Sequence, residues 1–247
     1  MEKAEYQKHF ELEESFWWFQ GRREILLRLL QSLTTPRRPL VWLDAGCGTG
    51  FNMKVFARFG PVFGCDFSDD ALAFCKKRSL MNLVRADVTC LPYKRAAFDA
   101  ASLFDVLYHK NIFDDVAVLK EACRTLKPGG ILLVSDSALN VLRSRHDLAV
   151  HGRERYRRKT LKKKIESAGF EVLRMSYFNF FLFPTVFLMR MSERIRRPKT
   201  DVLQSDLKAV NPPLNAVLLG ILKVEAFLIK KISFPWGSSL CCLARKR

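Results

Sequence analysis

An α/β fold with a parallel sheet covered by helices on both faces is predicted by three features of the sequence. Short, nearly continuous apolar runs alternate with stretches of helical periodicity from residue 40 to residue 137. Strands buried on both faces read this way, and helices supply the crossovers between them. The first run opens into a glycine-rich loop, VWLDAGCGTGFN at 41–52. With 247 residues, 49% of them apolar and 27% charged, the chain is long enough for a sizeable core with an elaboration on it.

The elements follow in order. Residues 1–37 form a helical leader, with an aromatic knot in FWWFQGRREILLRLL and an apolar stripe through Ile25, Leu26, Leu29, Leu30 and Leu33. The breaker TTPRRP at 34–39 ends it. LVWLDA then reads as strand, KVFARF as helix, VFGCD as strand, DALAFCKKR as helix and LVRAD as strand. FDAASLFDVLYH supplies a fourth strand, DDVAVLKEACRTL a helix and GGILLVSDS a fifth strand. KTLKKKIESAGFEVLRMSYF is helix, glycine and strand, and GSSLCCLARKR is one more strand at the far end. The 179–235 stretch between the last two, rich in Phe, Leu and Ile, far exceeds the ordinary connection of about 2–6 residues, so it is a helical insertion. The core is then 38–178 with 236–247.

Charge is distributed unevenly. Residues 1–140 carry 19 Lys/Arg against 17 Asp/Glu, whereas 141–247 carry 23 against 8, so almost all of the formal +17 belongs to the C-terminal part. A one-signed field implies an anionic partner: phosphate, nucleic acid or an acidic membrane surface. Seven cysteines, an odd number without CxxC spacing, argue against a disulfide framework or a metal site, and for a reducing, cytoplasmic setting. The polar N-terminal MEKAEYQKHFELEE is not a secretory signal.

A strand, a glycine turn and a helix make a nucleotide cradle, because glycine lets a ligand approach the backbone closely. The dinucleotide fingerprint is G-x-G-x-x-G, but here the spacing is Gly46-x-Gly48-x-Gly50, one residue short. Asp44 at the strand end repels a pyrophosphate and suits an ammonium or sulfonium group. Asp66 ends the second strand, where a carboxylate can accept from both ribose hydroxyls. Asp87 lies where it can accept from an adenine amino group, with the Val88 N–H facing the ring.

LDAGCGTG, GCDFS, RADVTCLPY, FDAASLFDVLYH and LKPGGILLVSDS together resemble the class I S-adenosylmethionine-dependent methyltransferases of the type 11 group. The resemblance covers about 38–178 and resumes at 236–247. It implies a Rossmann-like seven-stranded sheet whose last strand is inserted antiparallel. It also implies that Asp44, Ala45 and the Gly46–Gly50 loop hold the methionine end of S-adenosylmethionine, that Asp66 and Phe67 meet the ribose side, and that Asp87 with Val88 takes the adenine. Asp105, closing the fourth strand, borders the methyl group. EESFWWFQGRREIL is similar to a leader that lies over the cofactor mouth in some members. On that likeness, Arg22 or Arg23 pairs with the methionine carboxylate or Trp18 closes the site; the alternative is that Trp17, Trp18 and Phe19 only dock the helix.

Methyl transfer from a sulfonium requires alignment and, for a hydroxyl acceptor, a place for a proton. His109 is the first candidate base, with His151 and Tyr156 behind it, and no metal is expected. For the acceptor, a small-molecule or lipid-linked compound comes first. In the insertion, Leu214, Val217, Leu218, Ile221, Leu228, Ile229 and Ile232 share one helical face, interrupted by Lys223, Glu225, Lys230 and Lys231. That pattern suits an anionic membrane surface at the inner leaflet, a roof over an apolar pocket, or an ordinary second core. RNA or DNA comes second, with Arg155, Arg157 and Arg158 as a phosphate track. A non-catalytic cofactor-binding protein is the third reading.

Overall fold

The computed structural model describes residues 2–31, 38–196 and 205–247. Leu33 and most of the 34–39 breaker therefore lie outside the described residues. The sheet has seven strands: β1 (Trp42–Ala45), β2 (Val62–Asp66), β3 (Leu83–Arg85), β4 (Phe98–Phe104), β5 (Leu126–Ser137), β6 (Phe170–Phe178) and β7 (Ser239–Lys246). Their order is β3-β2-β1-β4-β5-β7-β6. Pairings from β3 through β5 are parallel, and β7 runs antiparallel between β5 and β6, as the resemblance implies.

Five helices serve the crossovers and connections: α3 (Phe51–Phe56), α4 (Asp69–Lys77), α5 (Asp115–Thr125), α6 (Arg145–Ala149) and α7 (Arg158–Ser167). The strand order reverses at β1 and β4. Right-handed crossovers on either side of that point land on opposite faces, which leaves a crevice at the strands' C-terminal ends. The core confirms the apolar reading: Leu43, Ala100, Leu103, Leu132, Leu133 and Val134 are all but inaccessible. Trp42 is buried, stacked on Phe56 with ring centroids 4.3 Å apart, and its indole N–H donates to Ser102 Oγ at 3.0 Å.

The leader is two helices, α1 (Lys3–Leu12) and α2 (Trp17–Gln31), with Ile25, Leu26, Leu29 and Leu30 buried as expected. Two more, α8 (Phe183–Arg196) and α9 (Pro212–Leu228), lie between β6 and β7. Two sequence expectations need correction here. The fourth strand stops at Phe104 rather than running to His109, because Asp105 takes a left-handed backbone with φ 57°. The buried face of α9 carries Leu222, Glu225 and Ala226, followed by Ile229, whereas Leu214, Val217 and Ile232 of the expected stripe are exposed. The cause is non-local. Gly21 on α2 leaves a notch that Leu222 fills, so closely that a Cβ on Gly21 would stand 2.2 Å from Leu222 Cδ1. Glu225 turns inward to accept the Phe181 N–H at 2.8 Å.

Candidate active site

A cavity of about 280 Å³ occupies the crevice where β1, β2 and β4 end. Its wall includes nine of the residues named from sequence: Arg22, Gly46, Gly48, Asp66, Phe67, Asp87, Val88, Asp105 and His109. Glycine is needed in the loop for two different reasons. Gly46 (φ +77°) has Val106 against it, 2.4 Å from where a Cβ would be. Gly48 (φ +55°) has nothing within 4 Å of that point, so its backbone is open to a ligand.

Asp66 organises this loop. Its carboxylate accepts the Gly48 N–H and the Ser68 N–H, each at 2.9 Å. Burial pushes its pKa up, and these backbone donors oppose the push. Asp87 accepts from both the backbone and the hydroxyl of Thr89 at 2.8 Å, which presents Val88 to the cavity. Phe67 is largely exposed, with the Arg85 guanidinium 5.5 Å from its ring.

Asp44, Ala45 and Gly50 correct the sequence reading in part, because they stand behind the wall rather than on it. The space a Gly50 Cβ would need is filled by Leu80 and Cys75. The Asp44 side chain is buried; Oδ1 accepts the Ser102 hydroxyl at 2.6 Å and Oδ2 has no partner. Burial raises its pKa to about 7, against the lowering effects of Ser102 and of the Arg22 charge.

The leader contributes more than the sequence revealed. Tyr6, His9, Glu13, Phe19 and Arg22 all reach the cavity wall. Their signal is the spacing 6, 9, 13, one face of the first helix and the turn after it. Glu13 anchors the leader to the glycine loop, accepting from the Thr49 hydroxyl and from Arg78 at 2.6 Å. Arg78 also donates to Thr49 O at 3.0 Å and Phe10 O at 2.9 Å. Burial pushes the Glu13 pKa up, while Thr49 and Arg78 oppose it. Arg22 forms an ion pair with Asp105 and has its guanidinium 5.6 Å from the Phe19 ring and 5.9 Å from that of Phe104. The aromatic residue at the cavity is Phe19; Trp18 instead stacks on Phe178 with centroids 5.5 Å apart, so the docking alternative holds for Trp18.

His109 is on the wall, but its environment argues against a base. Burial first, then neighbouring positive charge, lowers its pKa to about 4. Its Nδ1 accepts the Asn111 N–H at 3.3 Å, which leaves the neutral ring's proton on Nε2. The neutral His109 ring on the wall then has Nε2 as its hydrogen-bond donor. Tyr156 must be withdrawn as a catalytic candidate: it is fully buried off the wall, its hydroxyl 2.6 Å from Asp115 Oδ2 and 3.0 Å from Leu107 O. His151 is likewise off the wall. The basic track contracts too. Arg155 is buried against Asp147, with Nε donating at 2.7 Å, whereas Arg157 and Arg158 remain exposed. Among the described residues no cluster of three metal-ligating side chains occurs.

The arrangement fits S-adenosylmethionine: an unpartnered buried carboxylate oxygen beneath the loop, an open backbone at Gly48, and acids in order at the ends of successive strands. The family model "Methyltransferase domain" matches residues 43–134, spanning the glycine loop through β5. This segment of the chain is thus similar to the S-adenosylmethionine-dependent methyltransferase domain. A "Probable S-adenosylmethionine-dependent methyltransferase" of Mycolicibacterium smegmatis is 29% identical over 174 residues, 65% of this chain and 62% of that protein. A demethylmenaquinone methyltransferase of Shouchella clausii is 33% identical over 106 residues, 39% of this chain and 44% of that protein. The chain thus spans about half the length of the curated relatives it matches. Among solved structures, an S-adenosylmethionine-dependent methyltransferase of Thermotoga maritima superposes with a TM-score of 0.57 at 17% identity, covering 99% of this chain and 96% of its counterpart. That likeness speaks for the fold.

Proposed function

We propose that this methyltransferase transfers the methyl group of S-adenosylmethionine to a small, lipid-class acceptor. The observation that carries this reading is the chemistry of the cavity beyond the cofactor residues. Phe19, Phe104, Tyr108, Ile112 and Val150 wall it, and the charged groups nearest them, Arg22 and Asp105, neutralise one another. An apolar wall with few oriented polar groups selects an apolar ring or chain. The demethylmenaquinone named in the Shouchella clausii relative is a lipid-soluble quinone, which supports the same acceptor class.

When bound, S-adenosylmethionine supplies an electrophilic methyl group on a sulfonium. The chain's own residues then hold and orient. Asp66 accepts from the ribose hydroxyls, Asp87 and Val88 take the adenine edge, and the Gly46–Gly48 backbone with Asp44 beneath it holds the methionine end. Arg22 fixes Asp105 at the acceptor side of the cavity. His109 donates from Nε2 to an acceptor oxygen. The leader excludes water from the cavity it roofs.

The test is methyl-labelled S-adenosylmethionine incubated with purified protein and a total host extract, followed by partition of the label. Label in the organic phase is the expected result. Label in nucleic acid would restore the phosphate-track reading, and bound cofactor without any transfer would favour a non-catalytic binder.

A further inference from the structure

The helix that clamps the leader has a second face with no partner among the described residues. On α9 the core side is Leu222, Glu225 and Ala226, and the outer side is apolar: Val217 is 61% exposed, Val224 53% and Phe227 61%. Leu214 starts this stripe, and positions 214, 217, 221 and 224 recur at helical spacing, with Ile221 half-buried and Leu228 beyond them packed against the core. A helix of a folded domain ordinarily buries its apolar face; here one apolar face is buried and another is presented.

The charge around that stripe has one sign. The sole acid of α9, Glu225, is wholly buried, where it serves the Phe181 N–H. Lys223 stands beside Phe227 on the exposed side, and Lys230 and Lys231 follow the helix, with exposed Ile232 and Trp236 beyond them. An exposed apolar stripe flanked by lysines and free of exposed carboxylates matches an anionic bilayer, in which acyl chains take the apolar side chains and headgroups the ammonium groups. Trp236 has the amphipathic ring suited to the headgroup level. α9 has 17 residues, and no described helix is long and apolar enough to cross a membrane.

We infer that the outer face of α9 docks this protein on an anionic lipid surface. The inference rests on the lipid-acceptor reading for its purpose, though its evidence is separate from the cavity. Docking is connected to the site through α2. Leu222 fills the Gly21 notch, and Asn215 accepts the Trp17 N–H at 2.8 Å while donating to Ser15 O at 3.1 Å. The helix so held carries Phe19 and Arg22 into the cavity wall. A bilayer on the outer face of α9 is therefore connected, through α9, to the helix that carries Phe19 and Arg22.

The experiment is flotation of the full chain with phosphatidylcholine vesicles, with and without phosphatidylglycerol. It is run on the wild type, on the triple variant Val217→Ser, Val224→Ser, Phe227→Ser, and on Lys223→Glu. The wild type is expected to float with the anionic vesicles and to be released by salt. The triple variant is expected to lose at least about tenfold in partitioning, given the area of three apolar side chains, and Lys223→Glu to lose less. All three substituted valine and phenylalanine positions are exposed, so cofactor binding by the triple variant, read by calorimetry, should match the wild type and certify its fold. Wild type that ignores both vesicles overturns the inference. So does light scattering that shows a second copy of the chain covering this face, with the triple variant monomeric. Methyl transfer to a detergent-dispersed acceptor, unchanged in the triple variant, separates failure of docking from failure of the acceptor reading.

Discussion

The two halves of the cavity are built differently. The cofactor half is polar and stands on strand ends: Asp66 on β2, the glycine loop after β1, Asp87 after β3. Each of its groups is fixed by short local hydrogen bonds, such as Gly48 and Ser68 to Asp66. The half proposed for the acceptor takes its apolar side chains from distant pieces: Phe19 from the leader, Phe104 and Tyr108 around the end of β4, and Val150 after α6. The sheet can therefore carry one constant binding chemistry while the elements added to it vary the acceptor.

Breaking the junction between the halves should have the largest effect. Glu13→Ala removes the anchor of the leader on the glycine loop and leaves the buried Arg78 with only carbonyl partners. A cost of about 3 kcal/mol in unfolding free energy is expected, as for a buried ion pair deprived of one member. Denaturant melts with and without cofactor measure it, and a loss below about 0.5 kcal/mol, the size of an ordinary surface change, would remove the anchor from this account.

Within the cofactor half, Asp66→Ala strips the Gly48 and Ser68 N–H groups of their acceptor and removes the ribose contact proposed for it. Cofactor affinity should fall by about 1–3 kcal/mol on calorimetric titration. Unchanged binding would mean that the ligand is wrong.

Asp44 sharpens the comparison through pH. Burial raises its pKa to about 7 from an unfolded value near 3.8. The folded protein thus holds a proton that the unfolded chain has released, so this group's contribution to stability is full at low pH and is lost as pH rises from about 4 through about 7. A bound ammonium favours the ionised carboxylate. Cofactor affinity should accordingly rise with pH, by up to about tenfold per unit below pH 7, and level off above it. Asp44→Asn should flatten that profile. A pH dependence that survives in the variant would assign it to another group.

The smallest effect is expected from Tyr156→Phe, which removes one hydrogen bond to an Asp115 that Arg153 and Lys164 still hold. About 1 kcal/mol of stability should go, with kcat unchanged once the protein is folded. A large fall in kcat alone would return Tyr156 to the catalytic group.

How much of this was legible depended on whether the cause was local. The strands, the glycine loop and the acids at strand ends are written in contiguous residues, and all but the exact limits appeared where expected. The extent of β4 was overread because VLYH continues the apolar pattern past the backbone reversal at Asp105. The basic stretch offers Tyr156 as a candidate base and Arg155 as a phosphate contact, and only Asp115 and Asp147, distant or turned inward, explain their burial. The orientation of α9 was illegible because the helix is apolar on most sides. Gly21, about 200 residues earlier in the chain, decides which side faces inward.

Titration of S-adenosylmethionine into Phe19→Ala and Asp66→Ala, side by side with the wild type and with label transfer to the lipid fraction read on the same samples, tests the divided cavity most directly. The division predicts that Asp66→Ala loses cofactor affinity, while Phe19→Ala keeps it within about twofold and loses transfer. Equal loss of cofactor affinity in both variants would contradict it, making the leader's aromatic residue part of the cofactor site and leaving the acceptor half without its proposed wall.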